Sequence, residues 1–347
     1  MNDGYLRQVW YMAAWSSEVG EVPLRRVLVG QPIVLFRTLD GTIAALTDRC
    51  PHRFARLSDG VRDGDTLQCP YHGLTFDSAG ACVRNPFADE IPKGAQVRAW
   101  PVCERDGIVW LWTGDDDAQD AAAVPDFSPI VRHGIAPLHG WMTMAAPYEF
   151  ATDNLMDLSH IEFVHRGTFA GNGVIFAGKH AVRQDGATLH SDWWMPGIPA
   201  PSHTVGIYPP DLITDHWLDM RWNAPASMAL EVGATPAGGA RETGVVVQQA
   251  HIITPETATT SHYFWASTRT SEAADAQWDA ALTSLFEQAF TDEDKPVIEH
   301  SFANLAGEDF WQAQPIFLGV DAAGARARRL LQTMIARERA GGLNAIP

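Results

Sequence analysis

The chain has 347 residues, of which 46% are hydrophobic and 19% are charged, and its formal net charge is −17. This balance is typical of a folded chain of about two domains and excludes wholesale disorder. An acidic chain binds nucleic acid and anionic membranes poorly, so we expect neither as a partner. Because the sequence lacks a membrane-spanning apolar run and a secretory signal at Met1 to Trp15, we expect a cytoplasmic protein.

The first third of the chain predicts an all-β domain. Its apolar or alternating runs are short, and turns rich in glycine and aspartate separate them. The predicted strands are residues 26–29, 33–37, 43–47, 67–69, 74–76 and 108–112. An acidic, alanine-rich stretch from Asp115 to Ala123 interrupts this pattern. We therefore expect two domains, residues 1–115 and residues 116–347.

The remainder predicts an α+β domain. Residues 152–164 and 278–289 carry apolar side chains at helical spacing, and residues 181–268 return to short strands with glycine and proline turns. Residues 322–340 predict a last helix that packs through Leu330, Leu331 and Ile335 and presents its arginines to solvent.

The strongest motif pairs two loops, Cys50-Pro51-His52 and Cys69-Pro70-Tyr71-His72. Each loop lies between predicted strands and offers one thiolate and one imidazole. Two cysteines on one iron and two histidines on the other form a [2Fe–2S] centre in which imidazoles replace half of the thiolates. The alternative is a structural Cys₂His₂ zinc site, but zinc ligands usually come in like pairs within one loop. Cys82 and Cys103 have no partner at ligand spacing, which predicts buried structural thiols.

A second motif begins at Asn154. Asn154, Asp157 and His160 are spaced to share one helical face, and His165 follows five residues after His160. Both histidines can bind one metal only if the helix distorts or ends between them. With a carboxylate they would form the facial triad of non-haem Fe(II) oxygenases. The carboxylate segment we favour is residues 291–296, and the residues alone do not choose among Asp292, Glu293 and Asp294.

Two other classes of function stay open at this point. The chain could be a Rieske-type electron carrier without catalysis, or a metal-dependent hydrolase at His160 and His165. Glu162 is displaced by one position from the zinc-protease motif H-E-x-x-H, which argues against that hydrolase class. The sequence has no glycine-rich nucleotide-binding motif, so electrons must arrive from another protein.

These motifs resemble the oxygenase component of Rieske non-haem iron oxygenases, in the group that holds vanillate O-demethylase, dicamba O-demethylase and toluenesulfonate methyl-monooxygenase. The resemblance covers nearly the whole chain. It includes residues 9–15, 50–53, 69–74, 153–160, 251–256 and 293–295. It implies an N-terminal all-β Rieske domain and an α+β catalytic domain in which helices lie against an antiparallel sheet, a helix-grip-like arrangement.

The resemblance also implies roles for particular residues. Cys50, His52, Cys69 and His72 would hold the [2Fe–2S] cluster, and His160, His165 and Asp294 would hold one mononuclear Fe(II). Asp157 would link the cluster of one subunit to the iron of its neighbour in a ring-shaped homotrimer, and Asn154 would lie near the iron. His251 matches a substrate contact of the dicamba enzyme, whereas Leu230 and Leu285 replace a polar and a tryptophan contact there.

The implied reaction is a monooxygenation with O₂ and electrons from a separate NADH-dependent reductase or ferredoxin. The expected substrate is a small methoxylated aromatic, typically an acid, which is demethylated with release of formaldehyde; hydroxylation of an aryl methyl group is the alternative. An acid would need a cationic or hydrogen-bonding pocket wall. The candidates for that wall are His203, His216, Arg221, His251 and Arg269. Arg56 and Arg62, in the arginine-rich segment after the first cysteine loop, are candidates for docking an acidic electron donor.

Overall fold

The computed structural model describes residues 4–131, 136–171, 173–268 and 276–341. The chain forms two compact units. The first contains the residues up to Val124 together with Thr254–Ala258, and the second contains Pro125–Ile253 and the residues from Thr259 onward. The division therefore falls between Val124 and Pro125, at the end of the acidic, alanine-rich stretch. No helix in the described ranges is both long and apolar enough to cross a membrane.

The first unit is built from short antiparallel strands, which confirms the all-β prediction. Its strands are β1 (Trp10–Trp15), β2 (Leu24–Leu28), β3 (Gln31–Arg37), β4 (Ile43–Thr47), β5 (Val61–Asp63), β6 (Thr66–Gln68), β7 (Thr75–Asp77), β8 (Cys82–Arg84), β9 (Val102–Arg105) and β10 (Ile108–Trp112). They form three sheets, with the orders β1-β10-β9, β2-β3-β4 and β5-β6-β7-β8. Cys50 and Cys69 belong to the core that Phe36 and Phe76 fill. Cys82 is buried as predicted, but Cys103 is only half-buried.

The second unit is organised around one seven-stranded antiparallel sheet. Its strands are β11 (Leu138–Met144), β12 (Lys179–Asp185), β13 (Thr188–Pro199), β14 (Ile213–Asn223), β15 (Ser227–Pro236), β16 (Val245–Pro255) and β17 (Ser261–Ser267). The strand order is β11-β17-β16-β15-β14-β13-β12. The α+β prediction for this part of the chain is confirmed.

Helical segments cover one face of this sheet. The helices are α1 (Tyr148–Met156), α2 (Ile161–Val164), α3 (Ala276–Glu287), α4 (Lys295–Ala303) and α5 (Ala322–Arg339). A π-helical segment, Gln288–Asp294, joins α3 to α4 without a break. The last helix was predicted with its arginines in solvent, and this is wrong for Arg328. Its side chain is buried, and its Nε donates to Oδ2 of Asp153 on α1 at 2.6 Å. Since this ion pair joins α5 to α1, Arg328 lies on the packed face.

The two faces of the sheet differ in charge. The inner face is the one toward the helices: Ser191 donates to the Met156 carbonyl at 3.1 Å, and the His251 ring lies 5.5 Å from that of Phe290. Cross-strand partners share a face and alternate residues change face, so the register assigns every central position. On strands β13 to β16 the inner-face residues include Leu189, Ser191, Trp193, Met195, His216, Leu218, Met220, Trp222, Met228, Leu230, Val232, Ala234, Val245, Val247, Gln249 and His251.

Every charged residue of the seven strands lies on the opposite, outer face. There Arg241, which precedes β16, pairs with Asp219 and Glu231 and stacks 4.4 Å from the ring centre of Trp217. Trp217 also donates to Glu231 at 2.8 Å. The sheet is therefore hydrophobic or neutral toward the helices and charged on its other side.

Candidate functional site

Cys50 and Cys69 each open a loop of the same construction in the first unit. The N–H of each cysteine donates to the carbonyl five residues later, in Ala55 and Leu74, at 2.8 Å in both loops. A return bond runs from the N–H of the fourth residue to the cysteine carbonyl, at 2.9 Å in the first loop and 3.1 Å in the second. The two loops are therefore matched hairpins that present their side chains in similar ways.

The fourth residue after each cysteine adopts a left-handed conformation. Gly73 has φ +73°, which suits glycine, and an added Cβ would lie 2.9 Å from Cγ of Pro86. Phe54, at the same place in the first loop, has φ +62°, an uncommon conformation for an aromatic residue. The Arg49 guanidinium covers its ring at 4.3 Å. Strain of this kind is tolerated where the loop must aim a functional group.

The four side chains predicted to bind the cluster come together. The two thiols are buried and interact, and the His52 and His72 rings lie 4.5 Å apart. Burial raises the pKa of the Cys50 thiol, and the neighbouring Cys69 raises it further. Nδ1 of His72 is buried without a hydrogen-bond partner among the described residues. Two adjacent buried thiols and an orphaned imidazole nitrogen fit a cationic metal cluster, which would ionise the thiols and use the free lone pair.

Two exposed aromatic side chains lie beside His72. Tyr71 is 57% exposed and its ring lies 4.1 Å from that of His72; Phe87 is 76% exposed and lies 6.4 Å from the same ring. Arg56 is exposed, whereas Arg62 on β5 is half-buried. Exposed aromatics at this density are typical of a contact surface.

In the second unit the helical run that carries the other histidines is interrupted at Asp157, before His160, so the predicted common helical face of Asn154, Asp157 and His160 does not form. Helix α1 ends at Met156, and a single 3₁₀ turn, Leu158–His160, leads into α2, which ends at Val164. His165 is the residue that follows α2. These breaks bring the His160 and His165 rings to 5.3 Å.

Asp294 supplies the carboxylate beside these rings. It is buried and ends the π-helical segment, and its oxygens lie 3.5 Å from Nε2 of His160 and 3.2 Å from Nε2 of His165. One ligand atom from each of the three residues lies within 4.8 Å of the others. Of the two competing acids, Asp292 is exposed and Glu293 binds His165 from the other side of the ring.

The remaining polar atoms of the triad have partners. The main-chain carbonyl of Asp157 accepts from Nδ1 of His160 at 2.5 Å, which fixes that proton and leaves the lone pair on Nε2, the nitrogen that faces Asp294. Glu293 accepts from Nδ1 of His165 at 2.8 Å and from Thr168 at 2.6 Å. Carboxylates and carbonyls behind histidines are the usual supports of a metal site.

Asn154 and Asp157 occupy different positions around the triad. The amide Nδ2 of Asn154 donates to Oδ1 of Asp294 at 3.2 Å. The Asp157 side chain is half-buried and accepts from the Ser159 N–H at 3.0 Å, which caps the 3₁₀ turn. Asn154 therefore contacts the triad through its side chain, whereas Asp157 contacts it through the main chain.

Electrostatics of the triad also suit a metal ion. Burial raises the pKa of Asp294, but the bonds and charges of His165 and His160 outweigh it and the net pKa is lowered. Burial lowers the pKa of His165, but Asp294 and Glu293 outweigh it and the net pKa is raised. A buried carboxylate that is held ionised beside two imidazoles is the donor set of a divalent iron site with open positions.

The predicted pocket residues divide between the faces of the sheet. His251 and Leu230 lie on the inner face, and Leu285 is half-buried on α3 beside Phe286, which packs on Trp265. Arg221 lies on the outer face and binds the Asp126 carbonyl, so it is not a wall of this site. Arg269 lies outside the described residues.

His203 and His216 form a separate pair. Their ring centres are 5.4 Å apart. His216 lies on the inner face, and its Nδ1 donates to the Gly233 carbonyl at 2.7 Å.

Sequence reasoning missed two supporting acids. Glu293 was considered only as a ligand, and its bond to His165 depends on the π-helical turn, which no spacing rule signals. Glu162 was considered only against a protease motif. It is buried and accepts from the Gly173 and Ile175 N–H groups at 2.7 and 3.3 Å, which fastens the loop after His165.

Comparisons with known proteins agree with this geometry. The model of the Rieske [2Fe-2S] domain matches residues 9–101, and the model of the vanillate O-demethylase oxygenase C-terminal domain matches residues 144–337. The oxygenase component of dicamba O-demethylase from Stenotrophomonas maltophilia is 36% identical over 334 residues, which are 95% of this chain and 98% of that protein. The oxygenase component of chloroacetanilide N-alkylformylase from Rhizorhabdus wittichii is 35% identical, over 96% of this chain and 97% of that protein.

A solved structure gives the same result. The crystal structure of dicamba monooxygenase with non-heme iron and dicamba has a TM-score of 0.84 and 34% identity to this chain, and the match covers 97% of this chain and 99% of that one. The family consists of oxygenases, so neither the hydrolase nor the electron-carrier alternative is supported. The chain belongs to the Rieske non-haem iron oxygenases, with a Rieske [2Fe–2S] cluster and a mononuclear iron site, and is the oxygenase component of a monooxygenase.

Proposed function

We propose that this chain is the terminal oxygenase of a multicomponent system that O-demethylates a methoxylated aromatic compound. The observation that carries the proposal is the buried triad of His160, His165 and Asp294, whose donor atoms converge within 4.8 Å. The names of the relatives supply the reaction class, because the matched C-terminal family and the dicamba relative are both O-demethylases. Electrons would come from a separate NADH-dependent reductase or ferredoxin.

In this proposal the two donor sets have distinct tasks. Cys50, His52, Cys69 and His72 hold the [2Fe–2S] cluster, and the triad holds the mononuclear iron. When bound, the cluster relays single electrons and the iron activates O₂. The reaction balances as one methoxy group, O₂, two electrons and two protons giving a phenol, formaldehyde and water. Hydroxylation of the methyl carbon gives a hemiacetal, which collapses to the phenol and formaldehyde.

The residues of this chain would act by holding and orienting the ligands. The Asp157 carbonyl and the Glu293 carboxylate keep the protons of His160 and His165 on Nδ1, so that both Nε2 lone pairs face the metal. Asn154 binds one oxygen of Asp294, which leaves the other oxygen to ligate. The substrate would lie between this triad and the inner face of the sheet, near His251 and Leu230, with Leu285 as a further contact.

Hydroxylation of an aryl methyl group is the second candidate reaction, because it would use the same residues without collapse of the product. A panel of methoxylated and methylated aromatics separates the two reactions. O₂ uptake and formaldehyde are measured with a generic reductase. Formaldehyde formed in the same amount as the O₂ and the substrate consumed supports demethylation. A hydroxymethyl product without formaldehyde supports the alternative, and no coupled O₂ uptake with any member contradicts the proposal.

We also propose that copies of this chain form a trimer in which the cluster of one subunit serves the iron of the next, with the Asp157 carboxylate between them. Two exposed aromatic surfaces support an interface between copies. One surrounds His72 and contains Tyr71 and Phe87. The other, in the second unit close in sequence to His165, contains Phe163 and Phe176, which are 60% and 61% exposed and have ring centres 5.6 Å apart.

Co-expression of two inactive chains tests this arrangement. Cys69→Ser should lack the visible chromophore of the cluster, and His160→Ala should keep the chromophore but lose turnover. If electrons cross between subunits, mixed assemblies of the two variants regain activity. Mixed assemblies as inactive as either parent, with mixing verified by affinity tags, contradict the proposal.

A further inference from the structure

The inner face of the sheet lies against the segments that carry the triad. At one side of this face the end of α1 contacts β13 through Met156 and Ser191. At the other side the π-helical segment contacts β16 and β17 through Phe290. The strands between them, β14 and β15, present Leu218, Met220 and Leu230 to the triad side. These three side chains are all buried.

No charged side chain lies on this face in any of the seven strands. The nearby arginines are committed elsewhere: Arg221 to the Asp126 carbonyl and Arg241 to Asp219 and Glu231, all on the outer side. An aromatic carboxylate placed here would lose its hydration without gaining a cationic partner from the sheet, which is strongly unfavourable.

Three polar side chains of this face, His251, Gln249 and Tyr263, bond to one another. His251 Nε2 lies 3.2 Å from Oε1 of Gln249, and its Nδ1 lies 2.6 Å from the hydroxyl of Tyr263. Since an amide oxygen only accepts, Nε2 carries a proton. Burial lowers the pKa of His251 to about 4, so at pH 7 the imidazole is uncharged and its Nδ1 accepts from the tyrosine. When a divalent ion is bound, the negative charges of Glu293 and Asp294 would balance it, so the metal would offer no spare positive charge.

Building on the proposed function, we propose that the substrate of this site is an uncharged aromatic compound, and that the site discriminates against aromatic carboxylates and sulfonates. The charge distribution of the sheet carries the inference. An uncharged substrate takes the place of the acidic substrate that the family resemblance suggests.

Isosteric pairs test this inference. The 2-, 3- and 4-methoxybenzamides and the corresponding methoxybenzoates differ mainly in charge, and their binding to the anaerobic holoenzyme is measured by equilibrium dialysis at pH 7. We expect the tightest amide to bind at least tenfold more tightly than its benzoate partner. A benzoate that binds as tightly as its amide, or failure of all the amides to bind, overturns the inference.

Charge insertion is the second arm. Leu230→Arg places a guanidinium on the inner face and should shift the benzoate-to-amide affinity ratio at least tenfold toward benzoate, and Ala229→Arg, the neighbour on the outer face, should leave it unchanged. If Leu230→Arg does not fold, Val232→Arg on the same face, at a half-buried position, replaces it. An unchanged ratio in the folded inner-face variant contradicts the inference. Formaldehyde release separately tests demethylation, so an amide that binds without releasing formaldehyde overturns only the proposed reaction.

Discussion

Glu293 accepts a hydrogen bond from Nδ1 of His165 at 2.8 Å, while the next residue, Asp294, approaches Nε2 of the same ring at 3.2 Å. Two consecutive acids thus contact opposite ring nitrogens of one histidine. The π-helical turn helps to place both acids beside one ring, because consecutive residues of a π-helix lie at narrower angular spacing than those of an α-helix. Such turns are frequent at functional sites.

The first prediction identifies the carboxylate ligand. Asp294→Ala should lose the mononuclear iron and keep the visible spectrum of the cluster, because only the triad is altered. Asp292→Ala, two residues earlier and exposed, is the matched control and should retain both. Iron analysis together with the visible spectrum distinguishes the variants. If the Asp292 variant loses iron and the Asp294 variant keeps it, the prediction that Asp294 is the ligand is wrong.

Removing the support behind His165 should weaken iron binding without abolishing it. Glu293→Ala frees Nδ1 of His165, and loss of such a partner typically costs about 10- to 100-fold in metal affinity. Glu293→Gln retains an accepting oxygen and should recover most of the loss. Retention of iron during dialysis against a chelator measures both effects. Equal retention by wild type and Glu293→Ala would show that the contact is dispensable.

The third prediction concerns the ion pair that joins α5 to α1. Arg328→Met removes the partner of Asp153 and the cation that lies 3.9 Å from the Phe310 ring centre. The Asp153 side chain is 31% exposed and keeps part of its hydration, so loss of its partner should destabilise the fold by about 1–3 kcal/mol. Arg326→Met, an exposed arginine of the same helix, should change stability by less than about 0.5 kcal/mol.

Urea unfolding followed by fluorescence measures both variants. Because replacing both members of a buried pair is often close to neutral, Asp153→Asn combined with Arg328→Met should recover part of the loss. Equal unfolding midpoints for the Arg328 and Arg326 variants would show that the pair adds no stability.

Sequence patterns predicted which cysteines, histidines and acids come together better than they predicted the contacts around them. Cysteine and histidine at short spacing are rare enough that the loops at Cys50 and Cys69 could be identified directly, and the spacing of His160 and His165 predicted the break in the helix. Contacts between side chains of distant segments could not be predicted in this way, because they depend on how the segments pack. The sequence pattern places Arg328 on the polar face of its helix, yet α1 covers it. Strand β1 escaped notice because all of its residues are buried, so it lacks the alternation that marks a half-exposed strand.

The fourth prediction is a loss of stability in acid caused by His203 and His216. Burial lowers the pKa of His203 to about 3, with a further contribution from His216, and burial lowers the pKa of His216 to about 4. An unfolded histidine titrates near 6.5. The unfolded state therefore binds more protons below that pH, so the contribution of the pair is complete above pH 6.5 and falls as the pH drops toward 4.

At pH 5 the loss should be about 2 kcal/mol for each histidine. Asparagine at both positions removes the titrating groups, and its amide nitrogen can still donate to the carbonyl of Gly233 in place of the His216 ring. The double variant should therefore lose less stability between pH 7 and pH 5 than wild type does. The comparison uses urea midpoints at the two pH values. Parallel losses in the two proteins would contradict the assignment.

The last prediction concerns where electrons enter. Arg49, Arg53, Arg56 and Arg62 crowd the first cysteine loop and the strand that follows it in a chain whose net charge is −17. Arg56 is exposed beside this loop, so it can meet an acidic donor during encounter, and complementary charge raises association rates more than affinity. Changing Arg56 and Arg62 to glutamate should slow partner-driven reduction of the cluster, most at low ionic strength, where screening is weakest.

Because Arg62 is half-buried, Arg56→Glu alone should show the same trend to a smaller degree. Arg105→Glu, an exposed change on β9 in another sheet of the same unit, is the matched control. Stopped-flow reduction across a salt series measures the rates, and single turnover driven by dithionite should be equal in all variants because it needs no docking. If the double variant matches wild type at low salt, electrons enter at a different surface.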